Sequence, residues 1–197
     1  MERIKVVIAA ALFDGHDVSI NLFRRLLLKR GAEVVHLGHN RSVNEVIQTA
    51  LQEDADGILV SSYQGGHNEY FRYLVDMLKE NNASHIRILG GGGGVILPSE
   101  IEALEQYGVE KLYHASEGQK IGIDGIADDI MNRLRKARAN KQEFHITQDT
   151  LENNQNNSFY ELAKELTVIE NCEDDCQKLT PIREIINKYD KKNSVVI

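Results

Sequence analysis

The chain has 197 residues, of which 42% are hydrophobic and 27% charged, and its formal net charge is −7. This composition is typical of a globular protein, and the acidic charge argues against nucleic acid as the main partner, because phosphate binding needs a basic surface. No apolar run approaches the ~20 residues of a membrane span, and the amino terminus lacks the apolar region of a signal peptide. We therefore expect a cytoplasmic protein with no membrane partner.

Short apolar runs alternate with segments of helical periodicity over residues 3–139. The predicted strands cover, in chain order, residues 4–12, 33–37, 57–62, 85–89 and 111–113. The predicted helices cover residues 19–30, a segment that begins with the capping box 42–45, residues 68–79, a segment that begins at Pro98, and residues 121–138. Five strand–helix units in a row predict a flavodoxin-like (Rossmann-like) parallel sheet in the order 2-1-3-4-5, with helices on both faces.

The carboxyl-terminal part of the chain has a different character. Residues 140–157 are rich in asparagine and predict a polar linker. Residues 158–197 predict a helical extension, with a second short helix opened by Pro181, which is too short to bury a core alone. We expect it to pack on the main domain, on a partner or on a further domain. Cys172 and Cys176 are predicted to be ordinary thiols, with a metal or redox pair as the alternative.

The loop after the first strand holds the most informative residues. Asp14-Gly15-His16-Asp17 follows the apolar run directly, which places an imidazole at the carboxyl end of a strand, where open α/β sheets bind ligands. The Asp14 carboxylate can accept a proton from one ring nitrogen of His16, and the other nitrogen is then free to ligate a metal. The predicted strand order reverses between strands 1 and 3, so this loop meets the loop after strand 3.

Two further loops are predicted to lie at the same edge of the sheet. The loop after strand 3 reads Ser61-Ser62-Tyr63-Gln64-Gly65-Gly66, and the fourth strand is followed by the glycine run 90–94. Bare backbone can approach a ligand closely, and the serine hydroxyls can bond to it. Five consecutive glycines cost conformational entropy on folding, so we expect them to serve a function. The pattern predicts a slot for a long, flat ligand, with a metal-ligating imidazole at its mouth.

These three loops resemble the signature of cobalamin-binding domains, such as those of methylmalonyl-CoA mutase, methionine synthase and glutamate mutase. Asp14-x-His16-x-x-Ser19, Ser61-x-Tyr63 and the glycine run are similar to the Asp-x-His-x-x-Gly, Ser-x-Leu and Gly-Gly elements of that signature. The segments around them resemble most the amino-terminal domain of the fused isobutyryl-CoA mutases. Ser19 and Tyr63 depart from the signature: serine is small enough to keep a close approach, and tyrosine brings a flat face and a hydroxyl.

The resemblance implies a cofactor and the residues that hold it. It implies that adenosylcobalamin binds base-off, with His16 replacing the cofactor's own dimethylbenzimidazole as lower ligand of cobalt, while Asp14 holds His16 and the displaced nucleotide tail enters the slot. The loop after strand 5 is implied to contact the tail as well. The implied cofactor-binding residues are Asp14, Gly15, His16, Asp17, Ser19, Ser61, Ser62, Tyr63, Gln64, Gly65, Gly66, Gly91, Gly92, Gly93, Gly94, His114 and Ser116.

The resemblance also implies what a complete enzyme would contain. In the family, the full enzyme interconverts isobutyryl-CoA and n-butyryl-CoA by a radical shift, and its acyl-CoA mutase barrel and GTPase domains lie outside the cobalamin domain. This chain has no phosphate loop of the G-x-x-x-x-G-K-[ST] type, and nothing in it resembles a (β/α)₈ barrel. We therefore expect cofactor binding, no catalytic residue in this chain, and partner domains supplied by a longer protein or by other chains.

Several alternatives are weighed against this interpretation. A stand-alone cobalamin carrier or sensor stays open, and so does a homodimer. A dinucleotide cradle is disfavoured because G-x-G-x-x-G spacing after strand 1 is missing, and a phospho-acceptor is disfavoured because 61–63 reads Ser-Ser-Tyr. Among the other histidines, His39 and His67 are candidates to touch the cofactor or a partner domain. His36, His85 and His145 are predicted to be structural or exposed.

Overall fold

A computed structural model of the chain describes residues 3–139, 159–170 and 180. The chain divides into two compact units, Met1–Lys141 and Gln142–Ile197. The predicted linker, His145, both cysteines and the predicted helix after Pro181 lie outside the described residues, so these interpretations and the predicted domain boundaries stay predictions. Among the helices of the described ranges, none has the length and apolar character needed to cross a membrane.

The first unit alternates strands and helices, as the sequence predicts. The strands are β1 (Lys5–Ala11), β2 (Glu33–Arg41), β3 (Gly57–Ser61), β4 (Arg87–Gly91) and β5 (Lys111–Tyr113). The helices are α1 (Val18–Lys29), α2 (Val43–Gln52), α3 (His67–Glu80), α4 (Pro98–Tyr107) and α5 (Ala115–Ala139), and the second unit contributes α6 (Phe159–Glu170). All strand pairs are parallel and the order is β2-β1-β3-β4-β5, which confirms the predicted flavodoxin-like fold.

Local sequence signals explain where several of these elements begin. The strand β1 is buried over its whole apolar run apart from Lys5, as expected of a central strand covered on both faces. The helix α2 starts with a capping box: Ser42 Oγ accepts the Glu45 N–H at 3.3 Å, and Glu45 Oε2 accepts the Ser42 N–H at 2.9 Å. The helix α4 starts with Pro98, whose missing N–H costs nothing at that position.

The helices form two groups that cover the sheet. One group is α1 and α5, which pack against each other, and the other is the series α2, α3 and α4. Between the first group and the sheet lies a core cluster that includes Leu27, Ile130 and Leu134. Arg30, just after α1, ties that helix to α5: its Nε donates to Asp128 at 2.7 Å and its Nη2 donates to Asp124 Oδ1 at 3.0 Å.

Three element boundaries differ from the sequence prediction. The strand β2 runs on to Arg41, because its pairing with β1 resumes after a register shift at Gly38, which has a φ of 81°. The strand β4 begins at Arg87 and takes in the first two residues of the glycine run. The segment after β5, predicted to be a loop, is helical from Ala115, and the backbone breaks helical geometry at Gly122 (φ 72°, ψ 167°). That break interrupts the apolar period, so the sequence shows only the later part of α5.

Candidate functional site

The buried carboxylate of Asp14 is the centre of the site. Its side chain has no exposed surface. Oδ1 accepts the backbone N–H of His16 at 2.9 Å and lies 2.8 Å from His16 Nδ1. Oδ2 accepts the backbone N–H of Tyr63 at 2.5 Å. One carboxylate therefore joins the loop after β1 to the loop after β3, which meet at the point where the strand order reverses.

The loop that presents Asp14 is itself held by β2. Phe13 has a φ of 66°, which is uncommon for a residue with a side chain, and its ring is 81% exposed. The Asn40 side chain accepts the Phe13 N–H at 2.8 Å, and the Asn40 N–H donates to the Asp14 carbonyl at 3.1 Å. These bonds fix the sharp turn that brings the Asp14 carboxylate under His16.

The hydrogen bonds at Asp14 determine which nitrogen of His16 is free. Burial alone would raise the pKa of the Asp14 carboxyl, but the hydrogen bonds from Tyr63 and His16 outweigh it and hold that pKa below its usual range. Because an ionised carboxylate only accepts, Nδ1 of His16 carries the proton that points at Asp14. The His16 side chain is 71% exposed. In the neutral imidazole, Nε2 then carries the lone pair, which is the form in which an imidazole ligates a metal.

A cavity of about 470 Å³ opens beside His16, between the helices α1 and α5 and the carboxyl edge of β3, β4 and β5. Its volume lies in the usual range for small-molecule sites, and most of its lining is apolar. The predicted site residues that line it are His16, Ser19, Ser61, Tyr63, Gly91, Gly92, Gly93 and His114. The structure thus brings together residues from four separate loops around one space.

Tyr63 stands at the mouth of the cavity next to His16. The two ring centroids are 5.2 Å apart, with 38° between the ring planes. On its other side, the Tyr63 ring lies against Gly93, where an added Cβ would be 2.8 Å from the ring. Tyr63 is 37% exposed, so one part of the ring faces solvent. The Tyr63 ring is therefore part of the cavity lining and not of the buried core.

The glycine run is required by the packing of the protein as well as by the cavity. A Cβ at Gly91 would lie 2.8 Å from the carbonyl oxygen of Tyr113, and one at Gly92 would lie 1.8 Å from that of Ser62. Gly94, by contrast, has no other atom within 4 Å of its ideal Cβ position. The sequence predicts that these glycines allow the backbone to approach a ligand. In the structure, Gly91 and Gly92 allow neighbouring loops to approach each other.

The remaining predicted site residues do not line the cavity. Ser62 is fully buried, and its hydroxyl has no hydrogen-bond partner in the part of the chain that the structure describes. The Gln64 amide donates to the carbonyl of Leu12 and so supports the first loop. The Ser116 hydroxyl lies 2.8 Å from His114 Nδ1 and so supports His114. The others outside the lining are Asp14, which is buried beneath His16, and Gly15, Asp17, Gly65, Gly66 and Gly94.

The other candidate histidines also lie outside the cavity lining. His39 is exposed on β2. His67 is buried at the start of α3, and its Nε2 is 3.0 Å from Glu100 Oε2 without the alignment of a hydrogen bond. His36 is half-buried, and burial lowers its pKa. None of these three side chains shares the cavity with His16.

The apolar walls of the cavity were not predicted from the sequence. They come from two helices: Val18, Leu22 and Phe23 on α1, and Ile123, Ile126 and Ile130 on α5. A signal was present in α1, where apolar residues occupy a wider stripe than one face against the sheet requires. Val18 is 78% exposed and Leu22 37%, although both are apolar. Such exposure beside a cavity is typical of a ligand-binding surface.

Comparison with known proteins agrees with this geometry. Residues 4–113 match the family model of the B12 binding domain. The chain is 62% identical over 138 residues to the fused isobutyryl-CoA mutase of Paraburkholderia xenovorans (strain LB400), a match that covers 70% of this chain and 11% of that protein. It is 31% identical over 131 residues to the 2-hydroxyisobutanoyl-CoA mutase small subunit of Aquincola tertiaricarbonis, which covers 66% of this chain and 94% of that subunit.

Solved structures show how widely the fold is shared. A cobalamin-binding protein from Desulfitobacterium hafniense DCB-2 superposes with a TM-score of 0.55 at 21% identity, covering 68% of this chain and 60% of that one. The receiver domain of the putative response regulator NarL from Mycobacterium tuberculosis superposes with a TM-score of 0.51 at 14% identity, covering 68% and 98%. The fold alone therefore does not separate these classes. The match of residues 4–113 does so, and the chain belongs to the B12 binding domain family.

Proposed function

We propose that this chain binds adenosylcobalamin base-off, with His16 as the lower ligand of cobalt, as the cofactor domain of an acyl-CoA mutase. The observation that carries the proposal is the pair formed by Asp14 and His16. The buried carboxylate holds Nδ1 at 2.8 Å, while the imidazole is 71% exposed and keeps Nε2 free beside a cavity. This arrangement suits an imidazole that ligates a metal through Nε2.

The residues present fit the cofactor in three respects. His16 offers one neutral nitrogen ligand. The cavity beside it offers apolar walls of the kind that accept a flat aromatic group such as dimethylbenzimidazole. The glycine run leaves no room for side chains at Gly91 and Gly92, so the backbone itself forms part of the wall. The bound cofactor would supply radical chemistry through its cobalt–carbon bond, which is a property of the cofactor.

The work of the protein is to hold and orient. Asp14 fixes the tautomer of His16 and raises the electron density that its imidazole offers to a metal. The backbone bond from Tyr63 keeps the Asp14 carboxylate in place, and the Tyr63 ring limits rotation of the imidazole. The apolar side chains of α1 and α5 provide walls against which an apolar part of the cofactor would pack.

The relatives support a role within a larger enzyme. The chain spans only 11% of the length of the fused isobutyryl-CoA mutase of P. xenovorans. We infer that the complete enzyme interconverts isobutyryl-CoA and n-butyryl-CoA, with acyl-CoA mutase barrel and GTPase domains in a longer protein or in other chains. The likeness to a small subunit of nearly the same length as the matched region supports the second arrangement. The homodimer and the stand-alone carrier stay predictions.

The experiment is an absorbance spectrum of the purified chain with adenosylcobalamin after gel filtration. We expect the wild type to retain the cofactor with the spectrum of a cobalt that carries a nitrogen lower ligand. The variant His16→Ala should lose that spectrum, because no other side chain of the cavity lining holds a nitrogen in the same place. The matched control is His39→Ala, which removes an exposed histidine outside the cavity and should leave the spectrum unchanged. Identical spectra for wild type and His16→Ala would contradict the proposal.

A further inference from the structure

Two hydroxyl groups from different loops meet in the wall of the cavity. Ser19 Oγ, in the first turn of α1, lies 2.9 Å from Ser61 Oγ, at the carboxyl end of β3. Ser61 is 7% exposed and Ser19 is half-buried, and both line the cavity. Within the part of the chain that the structure describes, neither hydroxyl has another hydrogen-bond partner. The two side chains therefore form an isolated pair inside mostly apolar surroundings.

The pair of hydroxyls lacks one hydrogen-bond acceptor. Two hydroxyls carry two O–H protons, and one of them closes the bond between the oxygens. The second proton has no acceptor among the described residues, and a buried donor without an acceptor is costly. Within the described residues, the pair makes no hydrogen bond to Tyr113, whose hydroxyl donates to Asp129 at 2.7 Å, or to His16, whose Nδ1 faces Asp14. The pair therefore offers one donor to whatever fills the cavity.

The pair of Ser19 and Ser61 differs from the cobalamin-domain signature. The cobalamin-domain signature has a glycine at the position of Ser19 and a serine at the position of Ser61, so only Ser61 belongs to the common pattern. A glycine at position 19 would leave the Ser61 hydroxyl without its present partner. The signature therefore does not account for the hydroxyl of Ser19.

We propose that Ser19 is a positioning residue, which donates its proton to Ser61 and thereby orients the Ser61 O–H toward an acceptor nitrogen of a flat heteroaromatic group in the cavity. The inference rests on the proposed function, because ligation by His16 frees the nitrogen of the displaced base that would otherwise bind cobalt. That nitrogen then needs a donor in a dry environment. A hydroxyl that is itself accepting a hydrogen bond is a stronger donor, since the two bonds polarise each other.

The test compares two corrinoids that differ in the nucleotide tail. Cobalamin carries the base, whereas cobinamide has the same corrin ring and no nucleotide. Dissociation constants of both are measured with the full chain as wild type, Ser19→Ala and Ser19→Gly. The matched control is Ser99→Ala, because Ser99 is the second residue of α4 just as Ser19 is the second residue of α1, and it is exposed away from this cavity. Thermal unfolding of each variant confirms that it is folded.

We expect both Ser19 variants to bind cobalamin about three- to tenfold more weakly, the range of a single neutral hydrogen bond. Their affinity for cobinamide should equal that of the wild type, since that ligand has no base to receive the proton. Unchanged cobalamin binding, or an equal loss for both corrinoids, would overturn the role of Ser19 while leaving the proposed function intact. A wild-type chain that binds neither corrinoid would overturn the proposed function, and the inference would fall with it.

Discussion

The two groups of helices cover the sheet in different ways. The group of α2, α3 and α4 closes its side with large side chains, and Ile47, Phe71 and Leu74 there are fully buried. The group of α1 and α5 closes its side only over the core cluster, and a cavity remains at the carboxyl edge of the strands. Protein interiors are normally packed without voids of this size. The chain therefore buries less apolar surface on the side of α1 and α5 and keeps a space beside His16.

Truncating one phenylalanine on each side measures this difference most directly. Phe71→Ala should lower the free energy of unfolding by about 3–5 kcal/mol, because it empties a fully packed position. Phe23→Ala should cost only about 1–2 kcal/mol, because Phe23 is only half-buried and borders a cavity. Urea denaturation of the two variants gives both values. Equal losses would mean that the two sides are packed alike in solution.

The glycine run offers a second test, because some of its glycines allow neighbouring loops to pack closely and others do not. Gly92→Ala should lower the free energy of unfolding by roughly 1–3 kcal/mol or more, because its Cβ would collide with the carbonyl oxygen of Ser62. Gly94→Ala is the matched control two residues away, and its cost should be within about 0.5 kcal/mol. If thermal unfolding showed the same cost at both positions, the tight contact between the two loops would not exist.

Acid should loosen the mouth of the cavity through Asp14. Its pKa is lower in the folded chain than in the unfolded one, so its contribution to stability is complete above the unfolded pKa and is lost as the pH falls through the folded one. We expect Asp14→Asn to cost about 1–2 kcal/mol at pH 7, since an amide replaces a charged acceptor. The difference between wild type and variant should shrink below about pH 4. A difference that stays constant down to pH 2 would exclude an ionised Asp14 at the site.

Much of the fold follows from local signals in the sequence. The apolar run of β1, the capping box at Ser42 and the proline at the start of α4 each act over a few residues, so the order and type of the elements can be read from them. The start of α5 could not, because Gly122 breaks the apolar period that reveals a helix. The start of β4 at Arg87 could not be predicted either, because apolar and polar residues are mixed before it and mark no clear boundary.

Some contacts of the site could likewise be predicted from the sequence, and others could not. The pairing of Asp14 with His16 is a contact over two residues, and the sequence predicts it. The contact between Ser19 and Ser61 spans 42 positions and depends on the distance between a helix and a strand. The contribution of Ile126 and Ile130 to the cavity could not be predicted either. Periodicity shows which side chains turn inward, and it does not show whether they meet the sheet or leave a space.

The ion pairs of Arg30 have a consequence for how fast a ligand can exchange. They tie the end of α1 to α5 through Asp124 and Asp128, while the beginning of α1 carries Val18 and Ser19 at the cavity. The two helices are therefore joined at the end of α1 that lies away from the opening. Val18 and Ile123 both line the cavity and are exposed, so we expect a ligand to enter on that side while the bonds of Arg30 stay intact. We therefore expect the rate of ligand exchange to depend on the side chains at the beginning of α1 and not on the ion pairs of Arg30, whose partners Asp124 and Asp128 are largely exposed.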